Sequence, residues 1–349
     1  MAIRQISLTD FRNLNSTTID FNPDINVITG KNGSGKTNLL EAIHVICQAK
    51  SFRNNSLKGC IRKSKSGFLL FARFDDYKAG LSLTGKKVDI KVNGEVVRKR
   101  SELVRRTPIK IVNSDSFELL TGSPLVKRMF LDWCLFHVEH SYAENLGRYQ
   151  HALKQRNHLL KQRKNTDLIN YWDEFLIGPA IEIEKSRLNL TNLINQSVQS
   201  KLDQLTDNLD VQIAYQKGWS KEKTFKQALT DSRKRDLQTG FTQVGIHRDN
   251  LLITNEGVSA VNFLSRGQQK RLCLALQLEV LLLVKQFNES PTILLVDDLA
   301  AELDIEARKK VLDLVETLNL QLFITNTDWQ DGNVLREKDF SRFHVEHGI

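Results

Sequence analysis

The stretch that decides the fold is GKNGSGKT, residues 30–37. It fits the phosphate-loop pattern G-x-x-x-x-G-K-[ST] at every fixed position. A β-branched run at residues 25–29 precedes it, and apolar residues recur at helical spacing from residue 39 to residue 47. We therefore expect strand, glycine loop and helix in that order, which is the context the motif requires.

Such a loop binds nucleotide phosphates through its backbone. Glycines let successive N–H groups converge on one point, and the helix that follows adds its positive dipole end. Lys36 is expected to contact the β- and γ-phosphates as a catalytic residue, and the Thr37 hydroxyl to ligate Mg²⁺. The alternative is a glycine turn that merely links a strand to a helix. The expected nucleotide contacts are Gly30, Lys31, Asn32, Gly33, Ser34, Gly35, Lys36 and Thr37.

A second acidic site follows an apolar run, ILLVDD at residues 293–298. The run is typical of a buried parallel strand, and ligands of open α/β sheets bind at the carboxyl ends of such strands. Asp297 is the predicted metal partner, and Asp298 is the predicted catalytic residue that polarises the attacking water. Read alone, the two aspartates could instead cap the next helix.

The spacing of these motifs narrows the class. About 260 residues separate Lys36 from Asp297, which is too many for a small GTPase. Between them, LSRGQQKR at residues 264–271 is expected to open a long helix, and AELD at residues 301–304 follows the acid pair. This order resembles the ABC-type ATPase head. An ordinary helix N-cap with a capping-box partner is the alternative for the segment at 264–271.

The resemblance to the ABC class implies ATP and Mg²⁺ as cofactors and a homodimer that forms on ATP. In that class the signature contacts the γ-phosphate of ATP bound to the other protomer. Here the corresponding residues are Ser265, Gly267 and Gln268.

The expected fold class is α/β: an ABC-type P-loop ATPase head with a mainly helical second lobe inserted. We expect the first ATPase part at residues 1–125, the helical lobe at 126–235, and the second ATPase part, with the signature and the acidic strand, at 236–349. The amphipathic runs of the lobe should be interrupted at Gly178-Pro179, and strands should resume near Phe241 and at residues 251–254.

The chain is basic, with 50 Lys+Arg against 41 Asp+Glu and a formal net charge of +9. This balance permits binding to a polyanion without proving it. The absence of a long apolar run and of a signal peptide favours the cytoplasm and no membrane partner. The basic clusters are Lys58, Arg62, Lys63 and Lys65; Arg98, Lys99, Arg100, Arg105, Arg106 and Lys110; and Lys154, Arg156, Lys161, Arg163 and Lys164.

Seven segments form a specific set: LTDFRNL (8–14), NLLEAI (38–43), KSFR (50–53), FLDW (130–133), LKQRN (153–157), HRD (247–249) and LSRGQ (264–268). Together they resemble the RecF family of bacterial recombination mediators. The resemblance implies a protein that binds DNA and ATP, hydrolyses ATP slowly, and works with RecR and RecO to place RecA on gapped DNA. It also implies roles in replication and in SOS induction. The preferred DNA, whether single-stranded, duplex or a gap junction, stays open.

Two other classes remain as alternatives. A nuclease-associated ATPase head of the SMC group would need a long coiled-coil insertion, and a transporter ABC subunit would need a membrane partner and usually a switch histidine. Residues 324–328 offer no such histidine, and Asp298 is shorter than the glutamate usual in ABC ATPases, which agrees with slow turnover. His247 either approaches the nucleotide or holds a turn, and Trp172 and Trp219 are expected in the core.

Overall fold

The computed structural model describes residues 2–54, 56–162, 166–205, 209–288, 292–298, 305–318, 320–327 and 340–346. The chain forms two compact units, residues 1–116 with 284–349, and residues 117–283. These are units of packing, and the three-part division expected from the sequence stays a prediction.

The first unit contains a five-stranded sheet in which every neighbouring pair is parallel, in the order β14-β3-β13-β12-β8. Its three middle strands are buried along their whole length, as expected for a sheet covered on both faces. The expected parallel strand before the acid pair is thereby confirmed. The strands are β3 (Ile25–Thr29), β8 (Ile109–Val112), β12 (Ile293–Val296), β13 (Gln321–Asn326) and β14 (Phe340–His344).

A six-stranded antiparallel sheet, in the order β2-β1-β4-β5-β6-β7, completes the first unit. Asn93 and Gly94 form the turn between β6 and β7, and both have the positive φ, 50° and 89°, that a tight hairpin turn requires. The strands are β1 (Ile3–Thr9), β2 (Thr17–Asp20), β4 (Gly67–Phe74), β5 (Lys78–Thr84), β6 (Lys87–Val92) and β7 (Glu95–Val96).

One apolar core serves both sheets and the helix after the glycine loop. Its completely buried residues, at 0% exposed, include Ile3 and Leu70 from the antiparallel sheet, Ile43 from the helix, and Leu295 and Phe323 from the parallel sheet. The helices of this unit are α1 (Lys36–Gln48), α2 (Arg100–Val104) and α10 (Ile305–Thr317), with a 3-10 turn at Leu57–Cys60.

The second unit is mainly helical and carries a three-stranded antiparallel sheet in the order β11-β10-β9. Its strands are β9 (Val211–Gln216), β10 (Asn250–Asn255) and β11 (Val258–Ser259). Its helices are α3 (Glu118–Thr121), α4 (Pro124–Val138), α5 (Tyr142–Lys161), α6 (Thr166–Leu205), α7 (Phe225–Thr239) and α8 (Ala260–Phe263), with a 3-10 turn at Ile246–Arg248. The expected long helix after Ser265 is confirmed as α9 (Arg266–Asn288), and a further 3-10 turn covers Ser114–Phe117.

The expected interruption at Gly178-Pro179 is wrong, because α6 continues through Pro179 for 40 residues. Proline removes one backbone hydrogen bond from a helix interior. Buried apolar residues on both sides of it, Leu176 and Ile183, keep the helix packed across that point. Tertiary packing therefore outweighs the local preference.

Two other expectations also need correction. Phe241 lies in a turn after α7 and not in a strand, whereas the strand expected at residues 251–254 is confirmed as β10. Trp219 is buried as expected, at 8% exposed, but Trp172 is only partly buried and lies against Tyr171 and Phe175, which are exposed. Tyr171, Trp172 and Phe175 share a helix face because residues three and four apart are neighbours on α6.

Three helices of this unit are tied by one buried arginine. Arg156 of α5 is 0% exposed and forms ion pairs with Asp173 of α6 at 2.5 Å and with Asp236 of α7 at 2.8 Å. A buried guanidinium needs such partners, since an unpaired buried charge is strongly unfavourable. Arg156, counted in the third basic cluster, therefore has no exposed charge to offer a ligand.

Candidate nucleotide site

The glycine loop joins β3 to α1, so the expected order of strand, loop and helix is confirmed. Lys36 is the first residue of α1, and its ammonium donates to the backbone carbonyls of Gly30 at 2.6 Å and Lys31 at 3.0 Å. Burial lowers the pKa of Lys36, while the carboxylates of Asp298 and Asp297 act in the opposite direction. The lysine is thus curled over its own loop, next to the acid pair.

The backbone of the loop requires glycine at specific points. Gly30 has φ 150°, and a Cβ there would lie 2.4 Å from the carbonyl oxygen of Val345. Gly33 has φ 80°, and no atom of the described residues lies within 4 Å of the Cβ position, so the loop is open at this point. The Ser34 hydroxyl is buried and has no hydrogen-bond partner among the described residues. An open glycine loop with an unsatisfied buried hydroxyl fits a phosphate ligand.

The two predicted metal-binding residues lie in contact. The Thr37 hydroxyl is 3.0 Å from Oδ1 and 2.9 Å from Oδ2 of Asp297. The Thr325 hydroxyl, at the end of β13, also donates to Oδ1 of Asp297 at 2.6 Å. Hydroxyl and carboxylate oxygens are the hard ligands that Mg²⁺ prefers, so this donor set fits the ion.

Asp298 follows Asp297 with a positive φ of 54°. Its backbone N–H donates to the Thr325 hydroxyl at 2.8 Å, and the same hydroxyl binds Asp297. Thr325 therefore holds both members of the acid pair at the carboxyl edge of the sheet, a role that the sequence did not reveal.

Asn326 is a further residue that sequence reasoning missed. It is 1% exposed, and its side-chain oxygen has no hydrogen-bond partner among the described residues. In the sheet it pairs in register with Thr29, the residue before the glycine loop. Asn326 thus lies in the segment at 324–328, where a transporter ABC subunit would usually have its switch histidine, and its side-chain oxygen can accept a hydrogen bond from a ligand.

A buried carboxylate organises the other side of the loop. Glu41 of α1 is 0% exposed and receives Arg12 Nε at 2.8 Å and Nη2 at 2.7 Å, together with the Ser51 hydroxyl at 2.5 Å. Although burial opposes it, the hydrogen bonds from Arg12 and Ser51 hold the pKa of Glu41 below its usual value. Glu41 thereby fastens two distant segments to the helix that follows the loop.

A chain of amides extends this network to the loop itself. Arg53 donates to Asn38 at 2.7 Å, and Asn38 donates to Asn13 at 2.6 Å. The Asn13 amide in turn lies 3.4 Å from the carbonyl oxygens of Gly33 and Ser34. The segments at 8–14, 38–43 and 50–53, noted above only for their resemblance, thus meet around the phosphate loop.

In the second unit, Ser265 precedes α9 and caps it. Its backbone N–H donates to Gln268 Oε1 at 2.9 Å, and the Gln268 N–H donates to the Ser265 hydroxyl at 3.3 Å. This reciprocal pair is a capping box. Ser265 and Gly267 are exposed, so capping leaves both accessible to a ligand or partner.

His247 holds a turn. Its Nδ1 accepts from the Tyr149 hydroxyl at 2.7 Å, and its Nε2–H donates to the Thr242 carbonyl at 3.0 Å. Burial lowers the pKa of His247 to about 4, which keeps the ring neutral. Asp249, two residues on, receives Arg187 Nη1 at 2.8 Å. Both ring nitrogens of His247 are hydrogen-bonded inside the second unit. Of the two roles considered for this residue, the structure therefore favours holding the turn over contacting the nucleotide.

Some predicted positions lie outside the described residues: Ala301 to Asp304, Arg163 and Lys164. Within the described ranges, no group of three or more His, Cys, Asp or Glu side chains could hold a metal ion. No helix in that part of the chain has the length and apolar character needed to cross a membrane.

The parallel sheet, the phosphate loop and the acid pair define the class of the protein as an ABC/SMC-type ATPase head. The family model for the RecF/RecN/SMC N-terminal domain matches residues 2–115. The DNA replication and repair protein RecF of Pseudomonas entomophila (strain L48) is 35% identical over 363 residues, covering 100% of this chain and 97% of the relative. RecF of Cellvibrio japonicus (strain Ueda107) is 36% identical, covering 100% and 98%. The chain belongs to the RecF family.

Solved structures agree with this assignment. A structure described as the recombination mediator protein RecF-ATPrS in the RecFOR pathway matches with a TM-score of 0.89 and 28% identity, over 99% of this chain and 96% of that one. An Smc head bound to the C-terminal winged-helix domain of ScpA matches with a TM-score of 0.59 at 15% identity, over 99% and 94%, which shows a shared fold alone.

Proposed function

We propose that this chain is an ATP-dependent DNA-binding protein of recombinational repair, in which ATP joins two copies and hydrolysis releases them. The observation that carries the proposal is the contact between Thr37 and Asp297, next to Lys36 at the start of α1. It brings together the phosphate-binding and metal-binding groups of an ATPase. The description of a similar RecF as ATP-bound supports ATP as the nucleotide.

Each residue has a defined part in the proposal. When ATP binds, Lys36 exchanges its hydrogen bonds to the Gly30 and Lys31 carbonyls for contacts with the β- and γ-phosphate oxygens. The backbone N–H groups of the loop bind the same phosphates. Thr37 and Asp297 hold Mg²⁺, which when bound neutralises charge on the phosphates. Asp298 orients the attacking water, and turnover is slow.

The second copy completes the site. Ser265, Gly267 and Gln268 of one copy contact the γ-phosphate held by the other, in agreement with the exposed position of Ser265 and Gly267. Because the two copies are related by a two-fold axis, two equivalent sites form. Such a dimer switches on ATP binding rather than on chemistry at the DNA.

The wider role follows from the family. We place the chain with RecO and RecR in loading RecA at gapped or single-stranded DNA, with roles in replication and SOS induction. The RecFOR pathway in the description of a solved RecF supports this proposal. The proposed DNA ligand implies action in the cytoplasm.

The test is DNA binding with and without ATP, on single-stranded, duplex and gapped substrates, for the parent and Lys36→Ala. The parent should bind at least one substrate more tightly with ATP and Mg²⁺, and Lys36→Ala should lose that gain because it lacks the phosphate contact. Equal binding by the parent with and without ATP would contradict the proposal.

A further inference from the structure

One face of α5 carries charge of a single sign. From residue 145 to residue 166 the sequence contains no carboxylate. Lys154, His158 and Lys161 are exposed and follow one another at positions i, i+4 and i+7, so they lie on one face of the helix. This face can attract an anionic ligand, and no acidic side chain on α5 competes within that stretch.

A groove of 640 Å³ runs beside this face. Its lining includes Leu153, Lys154, His158 and Lys161 of α5 together with Phe241, and it contains no carboxylate. The side-chain amides of Gln150, Gln155 and Asn157 complete it. Cationic, aromatic and amide groups thus share one groove.

Phe241 is an exposed aromatic residue held by a rigid turn. Its side chain is 47% exposed, and Gly240, with φ 72°, ends α7 directly before it. The next residue, Thr242, donates to Asn157 Oδ1 from its N–H at 2.8 Å and from its hydroxyl at 2.7 Å. Lys161 Nζ lies 4.3 Å from the centre of the Phe241 ring. Hydrogen bonds therefore hold the turn that presents the Phe241 ring at the surface beside Lys161.

The groove continues into a second one. That groove, of 340 Å³, is lined by Met129, Trp133 and Phe136, and it shares Gln150 with the first. Its one carboxylate, Asp132, forms an ion pair with Arg187 at 2.7 Å. Together they follow α5 from Tyr142 to Lys161, which is about 28 Å at 1.5 Å per residue. This length suits an extended polymer better than a single phosphate group.

We propose that this groove, which we call the α5 groove, binds single-stranded nucleic acid. The proposal rests on the DNA ligand of the proposed function and locates one of its contact sites. Proteins bind single strands by combining a positively charged groove with aromatic rings on which bases stack. Lys154 and Lys161 contact phosphates and Phe241 stacks on a base. A base inside a duplex is already stacked and cannot use the ring in this way.

The first experiment compares two aromatic side chains of equal exposure. Phe175 on α6 is also 47% exposed but does not line the groove. With a fluorescent oligothymidylate as the probe, Phe241→Ala should weaken binding roughly fivefold to 150-fold, the loss of one stacked base, while Phe241→Trp retains it. Phe175→Ala should bind like the parent. Equal losses at both positions would overturn the proposal.

The second experiment measures salt dependence. For single strands, the slope of log affinity against log salt falls by about 0.7 for each phosphate contact removed. Lys154→Gln with Lys161→Gln should lower the slope by about 1.4 if each lysine makes one contact. Lys185→Gln, an exposed lysine on α6 outside the groove, is the control. An unchanged slope in the double variant would overturn the assignment.

Two further outcomes separate the possibilities. If the variants lose binding to an oligoglutamate peptide and keep the oligothymidylate, the groove takes an acidic protein segment and the proposal is wrong. If the parent shows ATP-dependent DNA binding and Phe241→Ala matches it on every probe, only the α5 groove assignment fails. A parent that binds no single strand with or without ATP overturns the groove assignment, and only a parent that also shows no ATP-dependent binding of duplex or gapped DNA contradicts the proposed function.

Discussion

The Thr37 hydroxyl lies 2.9 Å from Oδ2 of Asp297, across 260 positions of sequence. The contact arises because β12 lies two strands from β3 in a parallel sheet, so their carboxyl ends meet at one edge. The loop after β3 and the acid pair after β12 therefore lie side by side at that edge. The proposed binding of Mg²⁺ and ATP depends on this contact between Thr37 and Asp297.

The role of Asp297 can be tested by its removal. Asp297→Ala should weaken Mg²⁺-dependent nucleotide binding because Thr37 loses its carboxylate partner at the metal position. The measurement is ATP affinity as a function of Mg²⁺ concentration. The parent should show a strong dependence and Asp297→Ala a much weaker one, and the same dependence in both would contradict the assignment.

Asp298 should behave differently from its neighbour. Asp298→Asn keeps the size of the side chain and removes the carboxylate that orients water, so ATP should stay bound while hydrolysis slows, by roughly 10²-fold to 10⁴-fold if Asp298 acts as a general base. Light scattering with ATP should then show a persistent dimer. A variant that binds ATP yet stays monomeric would count against this role.

The buried cluster around Arg156 should govern the stability of the second unit. Arg156→Met leaves Asp236 without its cation and Asp173 with Arg233 alone, and breaking such a buried pair costs about 3–5 kcal/mol in free energy of unfolding. The matched control is Lys226→Met, which removes an exposed ion pair with Glu174 and should cost less than about 1 kcal/mol. Urea unfolding of both variants makes the comparison, and similar losses would contradict it.

His247 should make stability depend on pH below neutrality. Its pKa is about 4 in the folded chain and about 6.5 when unfolded, so between these values the unfolded chain binds the extra proton. The stability that neutral His247 confers is therefore present above pH 6.5 and is lost as the pH falls toward 4.

The measurement is the free energy of unfolding of the parent and of His247→Gln at several pH values. The advantage of the parent should shrink by up to about 1.4 kcal/mol per pH unit as the pH falls from 6.5 to 4. An advantage that grows at low pH, or stays constant, would show that the imidazole is not held neutral.

Most of the nucleotide site could be predicted from the sequence because its residues lie in short contiguous motifs. The loop at 30–37 and the run at 293–298 each contain the residues and the flanking element that their chemistry needs, so strand, helix and acid pair were all predictable. The bonds from Thr325 to Asp297 and from Arg12 to Glu41 were not, because they join residues that no local pattern relates.

Tertiary packing explains the other positions at which the structure differs from the expectation drawn from the sequence. Pro179 predicts a helix end from local backbone chemistry, but buried residues on either side of it hold α6 together. Arg156 was grouped with surface cations because a sequence cannot show that Asp173 and Asp236 surround it. Phe241 resembles a strand residue in its sequence context, yet its position is set by the turn after Gly240.

The central claim is that ATP joins two copies, each site using Lys36 of one and Ser265 of the other. Lys36→Ala and Ser265→Arg should each abolish hydrolysis in a homodimer. In a mixed dimer one site carries both defects, and the other keeps an intact Lys36 and an intact Ser265.

The most direct measurement is therefore ATP hydrolysis by an equal mixture of the two inactive variants, with mixed dimers verified by crosslinking. About half of randomly formed dimers are mixed and each has one intact site, so activity should recover to roughly a quarter of the parent rate. Crosslinked mixed dimers that hydrolyse no ATP, even in a single turnover, would contradict the account.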